Sequence, residues 1–405
     1  MKKKLFLLVA AMFILQACSV DVDECISREV NYEEGYKYLS TIDIGDAEMI
    51  YSKFTEDEYD YFKLNSTNEE SKISIRDSIG KDYGIHLVMV EKLSDEILSI
   101  VPNYGEVEEL LPKPETCPGI IQEEKNFQYP CFGDVRTGKL YRSTAGIVYE
   151  AKNDASGNLY FRTEQSFYKL NVSNFKLKPL LTGEEVNCHH FEITNNGFLV
   201  YWMYEGLHRN SCYIKCPSGT VYAVDDMYTF MFKGNLYSVR DHSIILFKPI
   251  GEGIIEEQVV CELPDDFMAT NYLSFVPNYV RSSMVISGSN DGLYEFTGEK
   301  CINLDCNNIE SLSSSLYATS QAWYESNGDS FTKIDMKDYQ ETTIQIPGYR
   351  IREVCADPLS ENLSFVAERY IDGIYVIATI TENNELIIRK VAEKGEKLSN
   401  LLILR

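Results

Sequence analysis

Gly157-Asn158-Leu159-Tyr160 returns as Gly234-Asn235-Leu236-Tyr237, then as Gly292-Leu293-Tyr294 and Ser315-Leu316-Tyr317. In each copy a small, turn-forming residue precedes a Leu–Tyr pair. Neighbouring strand residues point to opposite faces, so Leu and Tyr enter a strand with one side chain on each side. A sheet that takes large apolar side chains on both faces is one covered on both faces. Around these anchors lie short runs rich in β-branched and aromatic residues, bounded by Gly, Asn, Asp and Ser. From residue 147 onward the runs group in fours, over 147–181, 190–224, 228–263, 272–304, 309–346 and 351–391.

The groups start about 40 residues apart, and a four-stranded unit of that period is a propeller blade. A pair of β-sandwiches is the competing fold, with similar strands at closer spacing. The fourfold grouping favours the propeller. Four short segments, Lys72–Ile75, Ile85–Val90, Glu96–Val101 and Val107–Leu111, read as a meander that adds a seventh blade. Residues 25–70 either supply an eighth blade or only an outer strand. Residues 112–135, with Pro112, Pro114, Pro118 and Pro130, have loop composition. The expected architecture is all-β, a propeller of seven four-stranded blades within a range of six to eight. The fifth group is expected to run as strands 309–313, 316–324, 330–335 and 342–346.

The first residues carry a different message. Met1-Lys2-Lys3-Lys4 is basic, Leu5 to Leu15 is apolar, and Leu15-Gln16-Ala17-Cys18 puts a cysteine after a small residue. The apolar run is too short to cross a bilayer, so the layout is that of an export signal. It resembles a bacterial lipoprotein signal, with Leu15, Ala17 and Cys18 matching the lipobox. The resemblance implies cleavage before Cys18 and a lipid on Cys18, the chain's one membrane attachment. The alternative is an ordinary signal peptide with a chance cysteine. Ser19-Val20-Asp21-Val22-Asp23-Glu24 resembles the acidic surface-export signal of lipoproteins in Bacteroidota, although Val20 and Val22 interrupt it. That implies an outer-membrane lipoprotein displayed at the cell surface, with the periplasmic face as the other placement. The expected organisation is a signal peptide over 1–17, an acidic tether with some first strands over 18–70, and the propeller over 71–395.

Formal charge is −24, and removing residues 1–17, which carry three lysines, takes it to −27. Such a surface repels phosphate backbones, so nucleic acid is excluded as a partner. Of the 11 cysteines, ten remain apart from Cys18, an even number in an exported chain, which permits disulfides. Their spacing is irregular and traces no compact disulfide framework. Cys212 and Cys216 lie about 13 Å apart on an extended strand, too far to bridge. Most cysteines therefore read as small buried apolar residues.

Motifs add fold more than chemistry. Asn290 to Gly298 resembles the short propeller repeat of sensor domains in two-component systems of gut Bacteroidota. In that repeat Asp caps the turn and Gly takes a positive φ, which here would be Asp291 and Gly292. No WD dipeptide, kelch turn, sialidase Asp-box, nucleophile elbow or phosphate loop is present. Cys188, His189, His190, His208, Cys212 and Cys216 form the densest group of metal-ligand types. Their spacing fits no zinc pattern, and alternate strand residues diverge, so no metal and no other cofactor is expected. Asp225-Asp226 and Asp265-Asp266 read as turn acids, because sequence neighbours do not make the separated carboxylate pair of a glycosidase.

The aromatics give only a mild functional hint, set against packing between blades, which consumes most propeller aromatics. Trp202 and Tyr204 lie two apart and share a strand face, and Trp323 lies in a later strand with Tyr324 beside it. Aromatic faces stack on sugar rings, so Trp202, Tyr204 and Trp323 are the candidate ligand-binding residues. No catalytic residue stands out. The favoured reading is a lipid-anchored envelope propeller that binds a glycan, a peptide or a partner protein. The alternative is a propeller-fold glycoside hydrolase or polysaccharide lyase.

Overall fold

The computed structural model describes residues 30–31, 41–55, 59–76, 80–82, 84–103, 131–142, 147–154, 157–163, 166–172, 176–181, 188–205, 209–224, 228–251, 254–263, 267, 273–287, 292–304, 312 and 316–404. Every regular element among them is a β-strand. Among the described residues no helix is long and apolar enough to cross a membrane. The strands form eight antiparallel sheets of four or five strands and one two-stranded sheet. The fold is an all-β propeller with eight blades, numbered 1 to 8 here in chain order.

Two compact units share the blades. One takes Met1–Gly45 and Ser74–Val186, the other Asp46–Ile73 and Asn187–Arg405. In the first unit, blade 2 orders Val30–Asn31, Leu140–Arg142, Cys131–Asp134, Ile97–Asn103 and His86–Lys92. Blade 3 follows as Glu150–Asn153, Leu159–Arg162, Phe167–Asn171 and Lys176–Leu181. Their shared core holds Ile97, Phe132, Leu159, Phe161, Tyr168 and Leu170. Phe161 lies 5.4 Å from both Phe132 and Tyr168, centroid to centroid. Thr41–Ile42 pairs with Ile75–Arg76 in the small sheet of this unit.

The second unit holds the other six blades. Blade 4 is Cys188–Ile193, Leu199–Glu205, Arg209–Lys215 and Val221–Val224. Blade 5 is Tyr228–Phe232, Asn235–Arg240, Ser243–Gly251 and Ile254–Glu262. Blade 6 is Ser274–Asn278, Ser283–Ser287, Leu293–Phe296 and Cys301–Leu304. Blade 7 is Tyr317–Ala318, Ala322–Ser326, Ser330–Asp335 and Glu341–Gln345. Blade 8 is Tyr349–Cys355, Leu363–Arg369, Tyr375–Ile380 and Leu386–Val391. Blade 1 draws on distant parts of the chain, ordering Lys397–Ile403, Met49–Phe54, Tyr59–Leu64 and Glu70–Lys72.

Several expectations change. Eight blades stand, within the expected range of six to eight and one more than the favoured seven. The eighth comes from 49–72, which overlaps the 25–70 stretch offered as an eighth blade or an outer strand, completed by Lys397–Ile403. The 72–111 meander is split: Lys72 closes blade 1, Ile75 joins the two-stranded sheet, and 86–103 belongs to blade 2. Blade 2 then takes Cys131–Asp134, all four residues buried, from a stretch whose nearby prolines had suggested loop. The segment 107–111 lies outside the described residues. In blade 7 the expected 316–324 strand is a hairpin, because Thr319 and Ala322 close a tight turn between two strands. The strand expected at 309–313 falls almost wholly outside the described residues, and Leu312, which is described, is buried outside any strand.

The Leu–Tyr anchors behave as their pattern suggests. Leu159, Tyr160, Leu236, Tyr237, Leu293 and Tyr294 all enter second or third strands and are buried. Leu316-Tyr317 differs, since Tyr317 opens a first strand. Lys233 and Gly234 take φ of 47° and 70°, the paired left-handed geometry of a tight hairpin. Gly292 is not left-handed. A Cβ there would lie 2.8 Å from the Tyr294 ring, so glycine is needed for close approach rather than for its φ.

Candidate functional site

In blades 3 to 8 the strands run antiparallel in sequence order. The start of the first strand, the end of the second and the start of the third therefore share one edge. In blades 4 and 5 this edge gathers His190, Trp202 and Thr229. His190 and Trp202 are cross-strand partners, with ring centroids 5.1 Å apart and planes 32° apart. The ladder slips by one residue between Cys188 and His190. Such a bulge sharpens the local twist and re-aims the following side chain. Trp202 Nε1 donates to Thr229 Oγ1 at 2.7 Å, which fixes the indole against the next blade. His190 Nε2 lies 3.5 Å from Glu192 Oε1, and these side chains are 41% and 27% exposed. The indole is half-buried, packed on the core of Val200, Cys212, Ile214 and Leu236. The same edge carries half-buried Tyr228, Tyr317 and Tyr349 at the starts of blades 5, 7 and 8, each packed against apolar core. A fixed indole bordered by an imidazole and a carboxylate can stack on a planar or ring-shaped ligand and hydrogen-bond its substituents.

Tyr204 lies in the same strand as Trp202, opposite Asn210 in the ladder, and its side chain lies outside the described residues. Trp323 is fully buried between blades 6 and 7, where it meets Val276, Val285, Leu293, Ile334 and Tyr339. Its ring faces are occupied by this packing, and its Nε1 donates to the Pro277 carbonyl at 2.9 Å. Asp225, Asp226, Asp265, Asp266, Cys18, and the side chains of His189 and His208 lie outside the described residues. Cys188, Cys212 and Cys216 are buried. Among the described residues no three His, Cys, Asp or Glu side chains converge as a metal-holding group.

Two polar clusters escaped the sequence reading. At the opposite edge of blades 6 and 7, buried Glu295 accepts from Ser283 Oγ at 2.5 Å and from Arg281 Nη1 at 2.9 Å. Tyr339 OH lies 3.5 Å away, and Arg281 also sits over the Tyr339 ring and donates to the Lys337 carbonyl at 2.8 Å. Both carboxylate oxygens are engaged, so this group acts as a clamp between blades. The second cluster joins blades 1 and 8. Tyr51 OH donates to Glu70, Lys53 Nζ lies 3.0 Å from Glu70 and 3.3 Å from Glu396, and Lys390 Nζ lies 2.7 Å from Glu70. Burial and the Glu70 carboxylate push the Tyr51 phenol well up, so it stays protonated. Burial alone would raise Glu70, but hydrogen bonds from Lys390, Tyr51 and Lys53 outweigh it and hold the carboxyl below its ordinary value. A protonated phenol held by a carboxylate is a donor in a structural network, not a base. No sequence motif marks either cluster, because their members are brought together only by strand pairing within a blade and by packing between blades.

No family model matches the sequence, and no curated protein matches it. Similar solved structures include a selenomethionine-substituted virginiamycin B lyase from Staphylococcus aureus, at 14% identity and TM-score 0.37, over 61% of this chain and 85% of that one. Another is a eukaryotic initiation factor, at 9% identity and TM-score 0.47, over 88% and 98%. A third is a quinoprotein alcohol dehydrogenase-like protein from Bacteroides thetaiotaomicron, at 11% identity and TM-score 0.38, over 88% and 91%. Likeness this distant concerns the fold, and the activities in those names stay with those proteins.

Proposed function

We propose that this chain is a lipid-anchored cell-envelope β-propeller that works as a non-catalytic binding module, with a glycan as its ligand. The observation that carries the reading is Trp202: a half-buried indole, pinned by Thr229, flanked by His190 and Glu192. Sugar C–H groups stack on such a ring, while hydroxyls exchange hydrogen bonds with the imidazole and the carboxylate. The charge of −24 favours neutral over anionic glycans.

Titration of the chain against a panel of neutral oligosaccharides tests the proposal. One oligosaccharide is expected to bind, and Trp202→Ala to weaken it about tenfold or more with the thermal midpoint little changed. Unchanged affinity in the variant removes Trp202 from the site. Cleavage of the bound oligosaccharide makes the protein a hydrolase or lyase instead.

The anchor has a separate test. Cys18 carries the lipid in this reading and holds the chain on the outer membrane, facing outward. Cys18→Ala is expected to abolish fatty-acid labelling and release the protein to the soluble fraction. A variant that stays labelled and membrane-bound refutes acylation at Cys18. Digestion by protease added to intact cells checks the outward placement.

A further inference from the structure

Cys261 lies in the fourth strand of blade 5, and Cys301 opens the fourth strand of blade 6. The two strands belong to different sheets, yet both cysteines pack on one core, with Phe230, Phe232, Tyr237, Met284 and Phe296. Both are free and half-buried. The backbone N–H of Cys301 reaches the Cys261 sulfur, so the two residues are immediate neighbours. No strand ladder joins the two blades here.

We propose that Cys261 and Cys301 form a disulfide that ties blade 5 to blade 6. Each thiol gives up its proton as the Sγ–Sγ bond forms. The two electrons pass to the disulfide of an oxidant, a thiol–disulfide oxidoreductase in the envelope or glutathione disulfide in vitro, which is reduced to two thiols. The Cys261 thiolate attacks the oxidant first and expels one thiol. The Cys301 thiolate then attacks the Cys261 sulfur of the mixed disulfide and expels the second. Burial pushes both thiols up, Cys301 to about 12, with the neighbouring Cys261 adding to it. Attack is therefore slow at neutral pH. The same high value makes Cys301 a poor leaving group when a reductant attacks Cys261, so the bond behaves as a lasting tie. It closes a loop of about 40 residues, long enough to restrict the unfolded chain strongly.

The test uses the full chain oxidised with glutathione disulfide, so it does not depend on the export reading. The oxidised protein is alkylated in denaturant without reductant, digested and analysed by mass spectrometry. A peptide pair joining Cys261 to Cys301, two hydrogens lighter than the separate peptides, is expected. Reduction is expected to lower the thermal midpoint by about 3 °C or more. Cys261→Ser and Cys301→Ser should each melt with the reduced protein and leave the remaining thiol open to alkylation. Full alkylation of both thiols after oxidation overturns the proposal, as does a bridge from either one to a third cysteine. Serine variants that melt with the oxidised protein overturn the tie between blades.

Discussion

A chain that stops at Glu396 is expected to lose its stable fold. Lys397–Ile403 is the first strand of blade 1, and its partner Met49–Phe54 comes from the other end of the sequence. Leu398, Leu401 and Leu404 are 2%, 3% and 2% exposed. Burying one leucine contributes about 1.5–3 kcal/mol, so the three together approach the ~5–15 kcal/mol net stability of a whole domain. Polar contacts vanish with them. The backbone N–H groups of Asn400 and Leu401 donate to the Glu353 carboxylate of blade 8 at 2.8 and 2.7 Å. Asn400 Nδ2 donates to Ser52 Oγ at 3.0 Å and to Tyr59 OH at 2.7 Å. The stump leaves Met49, Ile50 and Tyr51, all buried in the intact blade, on an open strand edge, which is a template for aggregation. Near-ultraviolet circular dichroism and thermal melting of the 1–396 chain against the full chain measure the effect. The shortened chain should lack a cooperative transition or elute as aggregate, and a synthetic 395–405 peptide should restore part of the signal. A 1–396 chain that melts within a few degrees of the full one makes the strand dispensable. The edge strand Leu386–Val391 supplies the contrast. Ile387 is 43% exposed there, so Ile387→Thr should leave the melt almost unchanged.

This seam is the part of the fold that the sequence conceals. Blades 4 to 8 each take four consecutive strands, so their period shows in the order of apolar runs and turns. Blade 3 is equally local and equally legible. Blade 1 is not, because its strands lie more than 300 residues apart and no local pattern records which strand pairs with which. Blade 2 fails for a related reason: Cys131–Asp134 is short, contains Gly133 and follows a run of prolines. The candidate site divides along the same line. Trp202 is recognisable as a strand aromatic, but its partners His190 and Thr229 come from a neighbouring strand and a neighbouring blade. Glu295 and Arg281 are ordinary strand and turn charges in the sequence. Only the strand pairing inside blade 6 brings exposed Arg281 to within 2.9 Å of buried Glu295.

Trp323 and Trp202 are expected to separate cleanly on mutation. Trp323 has no exposed surface, stacks on Tyr339 with centroids 6.0 Å apart, and fills the core shared by blades 6 and 7. Removing a large aromatic from such a site costs about 3–5 kcal/mol through lost burial and the cavity left behind. The Pro277 carbonyl also loses its donor, for roughly 1 kcal/mol more. Tyr339 then loses its stacking partner, and Tyr339 takes part in holding Arg281 and Glu295, so the clamp loosens as well. Trp323→Ala should therefore shift the urea midpoint far downward, and Trp323→Phe, which keeps the ring but not the N–H, should fall between it and the native protein. Trp202→Ala removes a half-buried ring and a single hydrogen bond, with an expected loss of about 1–2 kcal/mol. Equilibrium unfolding of the three variants measures the contrast. Equal losses at the two tryptophans contradict the assignment of one to the core and the other to the open edge. Under conditions where Trp323→Ala remains folded, it should bind any ligand of the Trp202 edge with native affinity, because no atom of its indole reaches that surface.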